Sequence, residues 1–177
     1  KVDFAAGGHC AVCGTVACGK STFLQTLLYS LACGHSPETL QIYGADFSSR
    51  MLAPFEYLPH TGGIVYESQE EKLGRLFHLL DKFLEERKRL FRGGNYAQYV
   101  RAYGRKLPAI LLVIDNFAGF KEKTANIYED NLIRLAREGV AHGIFLLFTA
   151  GGFGLSGIQS RIGDHMRTVV SLEMGDK

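Results

Sequence analysis

The chain is poor in three things, and each absence excludes something. It lacks charge of one sign: 20 lysines and arginines face 18 aspartates and glutamates, for a net charge of +2. That balance offers no electrostatic case for a nucleic-acid groove across the protein and leaves room only for a local patch. It lacks long hydrophobic runs. The longest, Ile110–Ile114 and Ile144–Phe148, fall far short of the roughly 20 apolar residues a bilayer span needs. No signal peptide is visible. It also lacks paired metal-ligating cysteines. Of Cys10, Cys13, Cys18 and Cys33, the first two form C-x-x-C, but no second Cys/His pair stands at ligand spacing. Two strand residues three apart point to opposite faces, so this pair reads as small buried residues rather than a redox couple. Free thiols of this kind imply a reducing cytosol.

The chain has no internal repeat, low-complexity tract or linker. Its 177 residues suit one domain with a proper core. Residues 1–177 are expected to be a single module. Because the chain begins with Lys1 rather than Met, it is expected to be a piece of something larger.

What is present is a phosphate-binding loop pattern. Gly14-Thr15-Val16-Ala17-Cys18-Gly19-Lys20-Ser21-Thr22 satisfies G-x-x-x-x-G-K-[ST]. His9–Cys13 upstream reads as a short buried strand. Phe23–Ala32 downstream carries apolar residues at helical spacing. Strand, glycine-bounded loop and helix in that order let backbone N–H groups and a helix N-terminus surround a phosphate chain. Lys20 would reach the terminal phosphates and the Ser21 hydroxyl would ligate Mg²⁺, so ATP and Mg²⁺ are the expected ligands.

Further along, Leu40–Tyr43 reads as a strand ending at Asp46, and Ile64–Tyr66 as a short third strand. Ser68-Gln69-Glu70-Glu71 has the form of a capping box. It opens a helix whose stripe is Leu73, Leu76, Phe77, Leu80, Leu84 and Phe91, ended by Gly93-Gly94. The charged run Glu85–Arg89 reads as a solvated, internally paired face. Tyr96, Tyr99 and Tyr103 recur on a short helix as packing residues. Ala109–Asp115 is an unbroken apolar strand of the kind a parallel sheet covered on both faces requires. Ile127–Glu138 reads as a helix with Leu132, Leu135 and Ala136 inward. Ile144–Ala150 is a buried strand, Gly151–Gly154 a flexible loop before a short helix near Gly157–Arg161, and Thr168–Leu172 a last strand. Strands alternating with helices indicate an α/β fold with a mainly parallel sheet flanked by helices.

A phosphate loop needs an acid at a strand end to hold the metal. Asp115, after five consecutive apolar residues, takes this Walker B role, with Ser21 as the second metal ligand; Asp46 follows a weaker run. About 95 positions and two strands separate Lys20 from Asp115, so the Walker B strand is not the next in sequence. The position after Asp115 is Asn116, where active motors place a glutamate as general base. An amide orients a water but cannot take its proton. The expectation is a pocket that binds nucleotide and hydrolyses it poorly, unless Glu122 or Asp130 supplies the carboxylate.

These segments together resemble the FtsK/SpoIIIE superfamily of ATPases, and in particular the C-terminal modules of the type VII secretion ATPases EccC and EssC. The resemblance rests on Gly19–Leu27, Ala45-Asp46-Phe47, Leu58–Gly63, Glu85–Phe91, Leu111–Phe117, and Gly143-Ile144 with Phe148–Ala150. It implies a RecA-like P-loop NTPase fold and Mg-ATP as ligand. It also implies assembly with neighbouring ATPase modules of one chain or in a homo-oligomeric ring. Relatives carry transmembrane helices, so the resemblance implies a cytoplasmic domain of a membrane-anchored parent, touching membrane only through it. Some secretion modules are degenerate and serve regulation or capture of secreted cargo bearing a C-terminal export signal. Asp115-Asn116 resembles those rather than the DNA pumps, which carry Asp-Glu. Thr149 corresponds to a sensor position, Ala17 stands where many relatives have glycine, and Arg161 or Arg167 are candidates for an arginine finger. Two alternatives stand beside this reading: an active DNA-translocating ATPase, and a protein-interaction module with a vestigial nucleotide pocket.

Overall fold

The structure is a computed structural model that describes residues 4–154 and 157–173. Six strands, all paired in parallel, form one sheet in the order β3-β2-β4-β5-β1-β6. They are β1 (Cys10–Cys13), β2 (Leu40–Asp46), β3 (Thr61–Tyr66), β4 (Ala109–Asp115), β5 (Ile144–Ala150) and β6 (Thr168–Ser171). The helices are α1 (Phe4–Gly7), α2 (Lys20–Gly34), α3 (Glu70–Phe91), α4 (Tyr96–Tyr103), α5 (Phe117–Lys123), α6 (Glu129–Glu138) and α7 (Ser160–Gly163). The strand ending in Asp115 is the fourth in sequence, not the next after β1, and in the sheet β5 lies between it and β1.

Alternate residues of the central strands serve two cores, because successive strand side chains point to opposite faces. Ile110, Leu112 and Ile114 of β4 pack with α3, α5 and α6, while Leu111 and Val113 pack with Leu24 and Leu28 of α2. The cysteine pair obeys the same rule: Cys13 belongs to the first core and Cys10 to the second, both buried. Burial pushes the Cys10 thiol up to about 11, which keeps it protonated and unreactive at neutral pH.

Several expectations are corrected. The Ser68–Glu71 capping box does not form. Gln69 occupies the N-cap without a side-chain cap, its amide oxygen accepting instead from the Tyr66 N–H. The reciprocal box occurs at α4, between Asn95 and Gln98. The charged run on α3 is only partly solvated: Glu85 pairs with Arg134 and Lys88 with Glu138, but Arg87 is buried. Its guanidinium donates to the carbonyls of His142 (2.8 Å), Gly143 (3.1 Å) and Pro108 (2.6 Å). Position 87 continues the Leu73–Leu84 spacing, so the stripe carries a cation where backbone carbonyls need a donor. The helix expected from Ile127 begins at Glu129, and Ile127 itself is exposed. Helices α1 and α5 are too short to leave a periodic pattern in the sequence. The segment Gly151–Gly154 is tied down in part: Gly154 N–H donates to Ile158 O and Ile158 N–H to Gly152 O.

Candidate functional site

In a parallel sheet the strands all end on one edge, and loops leaving that edge bring distant residues together. Here Asp46, Asp115, Thr149 and the loop after Cys13 all sit at that edge. The loop folds as a cradle. Gly14 N–H donates to Ala150 O, tying the loop's first residue to β5. A Cβ on Gly14 would meet Cys18 Sγ at 2.5 Å and crowd Leu172 and Glu173 O, so any other residue would push the Cys18 side chain aside. The Thr15 N–H and hydroxyl both donate to Glu173 O. Val16 is exposed at the tip. Ala17 holds a positive φ of 64° and Gly19, the N-cap of α2, one of 92°. No side chain caps that helix, and first-turn N–H groups have no partner within a helix.

Lys20, the first residue of α2, folds back over the loop, donating to the carbonyls of Gly14 (2.9 Å) and Thr15 (2.5 Å). Ser21 Oγ donates to Asp115 Oδ2 at 3.1 Å. Thr22 is exposed on the helix and contributes its carbonyl to Thr26. Asp115 is buried and receives a second hydroxyl, Thr149 Oγ1 to Oδ1 at 2.5 Å. Thr149 Oγ1 in turn accepts from the Asn116 N–H. Burial pushes the Asp115 carboxyl above its usual range, against the two hydroxyls that stabilise its charge; the neighbouring Asp46 adds to the upward shift. Asp46 is the register partner of Asp115 across β2 and β4. Both its oxygens are engaged, by the N–H groups of Ser48 and Leu52.

The donor set fits a magnesium nucleotide. A hydroxyl and a carboxylate in contact are the hard oxygen ligands Mg²⁺ takes alongside phosphate oxygens and water. The loop also presents a helix N-terminus and an ammonium to anionic oxygens.

Asn116 does not face this pair with a free amide. It sits at φ 65°, a left-handed conformation asparagine tolerates. Its Nδ2 donates to Phe47 O at 2.7 Å and its Oδ1 accepts from Gly119 N–H, capping α5. Glu122, Asp130, Arg161 and Arg167 are exposed, and none makes a hydrogen bond to the loop, Asp115 or Thr149 among the described residues. Sequence reasoning missed the carbonyls of Phe47, Ala150 and Glu173. Main-chain partners leave no mark in residue identity, and only the position of Phe47 directly after an acidic strand end hints at its role.

A six-stranded parallel sheet with a G-x-x-x-x-G-K-S loop at its carboxyl edge is the RecA-like P-loop ATPase fold. Within that class the chain belongs to the FtsK/SpoIIIE family, whose sequence pattern it matches over residues 1–105. Over 169 residues it is 31% identical to the type VII secretion system protein EssC of Staphylococcus aureus (strain MRSA252), a match covering 93% of this chain and 11% of EssC. The solved cytoplasmic domain of EssC superposes with a TM-score of 0.91 at 30% identity, covering 99% of this chain and 35% of that one. ATPases 2 and 3 of Thermomonospora curvata EccC, solved in complex with a signal sequence peptide, superpose with a TM-score of 0.89 at 30% identity, covering 99% and 33%. The chain thus spans about a tenth of the length of EssC. No helix of the described residues is long and apolar enough to cross a membrane.

Proposed function

We propose that this domain is a Mg-ATP-binding module of a type VII secretion ATPase, that it hydrolyses ATP slowly, and that it acts in regulation or in capture of exported protein. Lys20 would exchange the carbonyls of Gly14 and Thr15 for the terminal phosphates. Ser21 Oγ and the Asp115 carboxylate would hold the metal, with Thr149 fixing the carboxylate. Bound Mg²⁺ supplies charge neutralisation at the phosphates.

The observation that carries the slow-turnover reading is the double commitment of Asn116. One end of its amide donates to Phe47 O and the other caps α5, so the residue beside Asp115 has no carboxylate to take a water proton and its amide is committed to main-chain partners. Calorimetry with Mg-ATP is expected to show saturable binding that Lys20→Ala removes. Steady-state turnover is expected to stay below about 1 s⁻¹, the low end of ordinary enzyme rates. A wild-type rate at or above that value refutes slow hydrolysis. The same assay belongs on the longer parent, because an arginine supplied in trans by a neighbouring module or ring subunit raises such rates by orders of magnitude.

Capture of protein is favoured over DNA pumping by the signal sequence peptide bound to Thermomonospora curvata EccC and by the near-neutral charge of this chain. Cytoplasmic placement is supported by the solved cytoplasmic domain of EssC, and a membrane-anchored parent by the family resemblance.

A further inference from the structure

The net charge of the chain is small only because two unlike regions cancel. Seven of its 20 lysines and arginines, but one of its 18 acids, lie between Glu86 and Lys106; the rest is net acidic. That stretch is the C-terminal end of α3, the Gly93-Gly94 turn, α4 and the start of the segment leading to β4. It borders a groove of about 900 Å³.

The groove lies far from the phosphate loop. Arg87 donates to Pro108 O and Tyr96 to Leu107 O, just ahead of the first residue of β4. The loop and Asp115 are at the other end of that seven-residue strand, about 20 Å away at ~3.3 Å per residue. Its apolar surface comes from Leu90 (51% exposed), Tyr99 and Tyr103 (61% exposed). Its rim carries Arg89, Arg92 and Lys106, none in an ion pair among the described residues. The walls are braced: Asn95 and Gln98 form a reciprocal cap at the start of α4, and Phe91 stacks on His142 while packing against Tyr99.

We infer that this groove docks an acidic amphipathic segment of a protein, its apolar side chains entering over Leu90 and Tyr103 and its carboxylates meeting Arg89, Arg92 and Lys106. Charge complementarity selects the sign of the partner, and the exposed leucine and tyrosine select apolar anchors. Stacking of nucleic-acid bases fits less well. Tyr99 already packs against Phe91 and Tyr103, at centroid distances of 5.2 and 5.1 Å, so its ring is not a free platform. The inference gives the protein-capture reading a surface and rests on that reading for its class of ligand, but not on the state of the nucleotide pocket.

The test titrates the domain with a fluorescein-labelled helical peptide of about 18 residues, with leucines on one face and glutamates flanking them. A second peptide carries lysines for the glutamates. Tyr103→Ser is expected to weaken the acidic peptide about tenfold at any salt. Arg92→Glu combined with Lys106→Glu is expected to weaken it as strongly at low salt and less at high salt. The lysine peptide is expected not to bind, and both variants should keep wild-type Mg-ATP affinity and thermal midpoints. Acidic-peptide binding that survives both variants leaves capture standing at another surface and overturns this groove. Absence of saturable binding by wild type overturns the groove and leaves the capture reading to a titration with secreted proteins. Competition by duplex DNA, with loss in the charge variant but not in Tyr103→Ser, replaces the protein partner with nucleic acid.

Discussion

Ala17 and Asp115 each spend stability for the sake of the phosphate loop. At Ala17 a Cβ is held at φ 64°, where an L-residue is penalised by about 1–2 kcal/mol. Glycine there removes that strain and costs about 0.4–1 kcal/mol of chain entropy in return. Ala17→Gly is therefore expected to stabilise the domain by about 1 kcal/mol, raising the midpoint of a calorimetric melt by roughly 2–4 °C; a lowered midpoint would contradict it. Asp115 is a buried carboxyl whose ionisation is disfavoured. With the folded-state pKa above the unfolded one, its stabilising contribution is complete only below the unfolded pKa and is lost as pH rises through the folded value. At neutral pH its charge therefore costs stability. Asp115→Asn is expected to raise the neutral-pH midpoint while weakening Mg²⁺-dependent ATP binding about 10–100-fold, in the range of altered metal shells. If both quantities fall together, Asp115 is structural rather than a metal-site acid.

At the scale of elements, two buried polar side chains join pieces that apolar packing alone would leave loosely registered. Arg87 ties α3 to the starts of β4 and β5 through carbonyls. Arg87→Leu keeps the stripe apolar but strands those acceptors, for an expected loss of about 2–3 kcal/mol. Lys88→Ala, on the half-exposed neighbour, is expected to cost under about 1 kcal/mol. Chemical denaturation of the two variants decides between a staple and an ordinary charged face. His9, just before β1, donates from Nε2 to Ala136 O of α6 and accepts at Nδ1 from the Leu146 N–H of β5. Burial lowers its pKa from 6.5 to about 4. A depressed pKa gives stability that is whole above 6.5 and lost as pH falls toward 4, amounting to about 3 kcal/mol at 1.36 kcal/mol per unit. Unfolding free energy measured at pH 7, 5.5 and 4 should fall through that window, and His9→Gln should flatten the curve.

The molecule as a whole was legible where burial is uniform and obscure where main chain meets main chain. The runs ending in Asp115 and Ala150 announced themselves because a parallel strand buried on both faces has no polar residue to blur it. The loop, its Lys20 and its Ser21 were legible because phosphate binding dictates side-chain identity at fixed spacing. Helix α5 was hidden: seven residues starting directly after a strand, with a glycine among them, carry too little periodicity. Arg87 was hidden by its own charge. The Ser68 box failed because Gln69 turned its side chain toward β3. The groove beside α4 was foreshadowed only as a stripe of tyrosines and a run of charges, read separately; the fold places them on one wall.

The pairing of β1 bears on when the protein becomes competent as well as on its shape. The strand is made early in the chain, yet its partners among the described residues are β5 and β6. Its loop is closed by Thr15 to Glu173, a separation of 158 positions, and Gly7 O accepts from Thr168, 161 positions away. Contacts that distant in sequence form slowly, since the chain entropy of closing so large a loop must be overcome before any contact repays it. A ribosome emitting this domain would therefore display an unfinished phosphate loop until the last strand emerged. Pulse-labelled hydrogen exchange during refolding should show the Val113 and Leu112 amides of β4 protected first, and the Gly14 and Thr15 amides protected together with Leu172 in the final phase. ATP-binding competence should rise with that final phase and not before it.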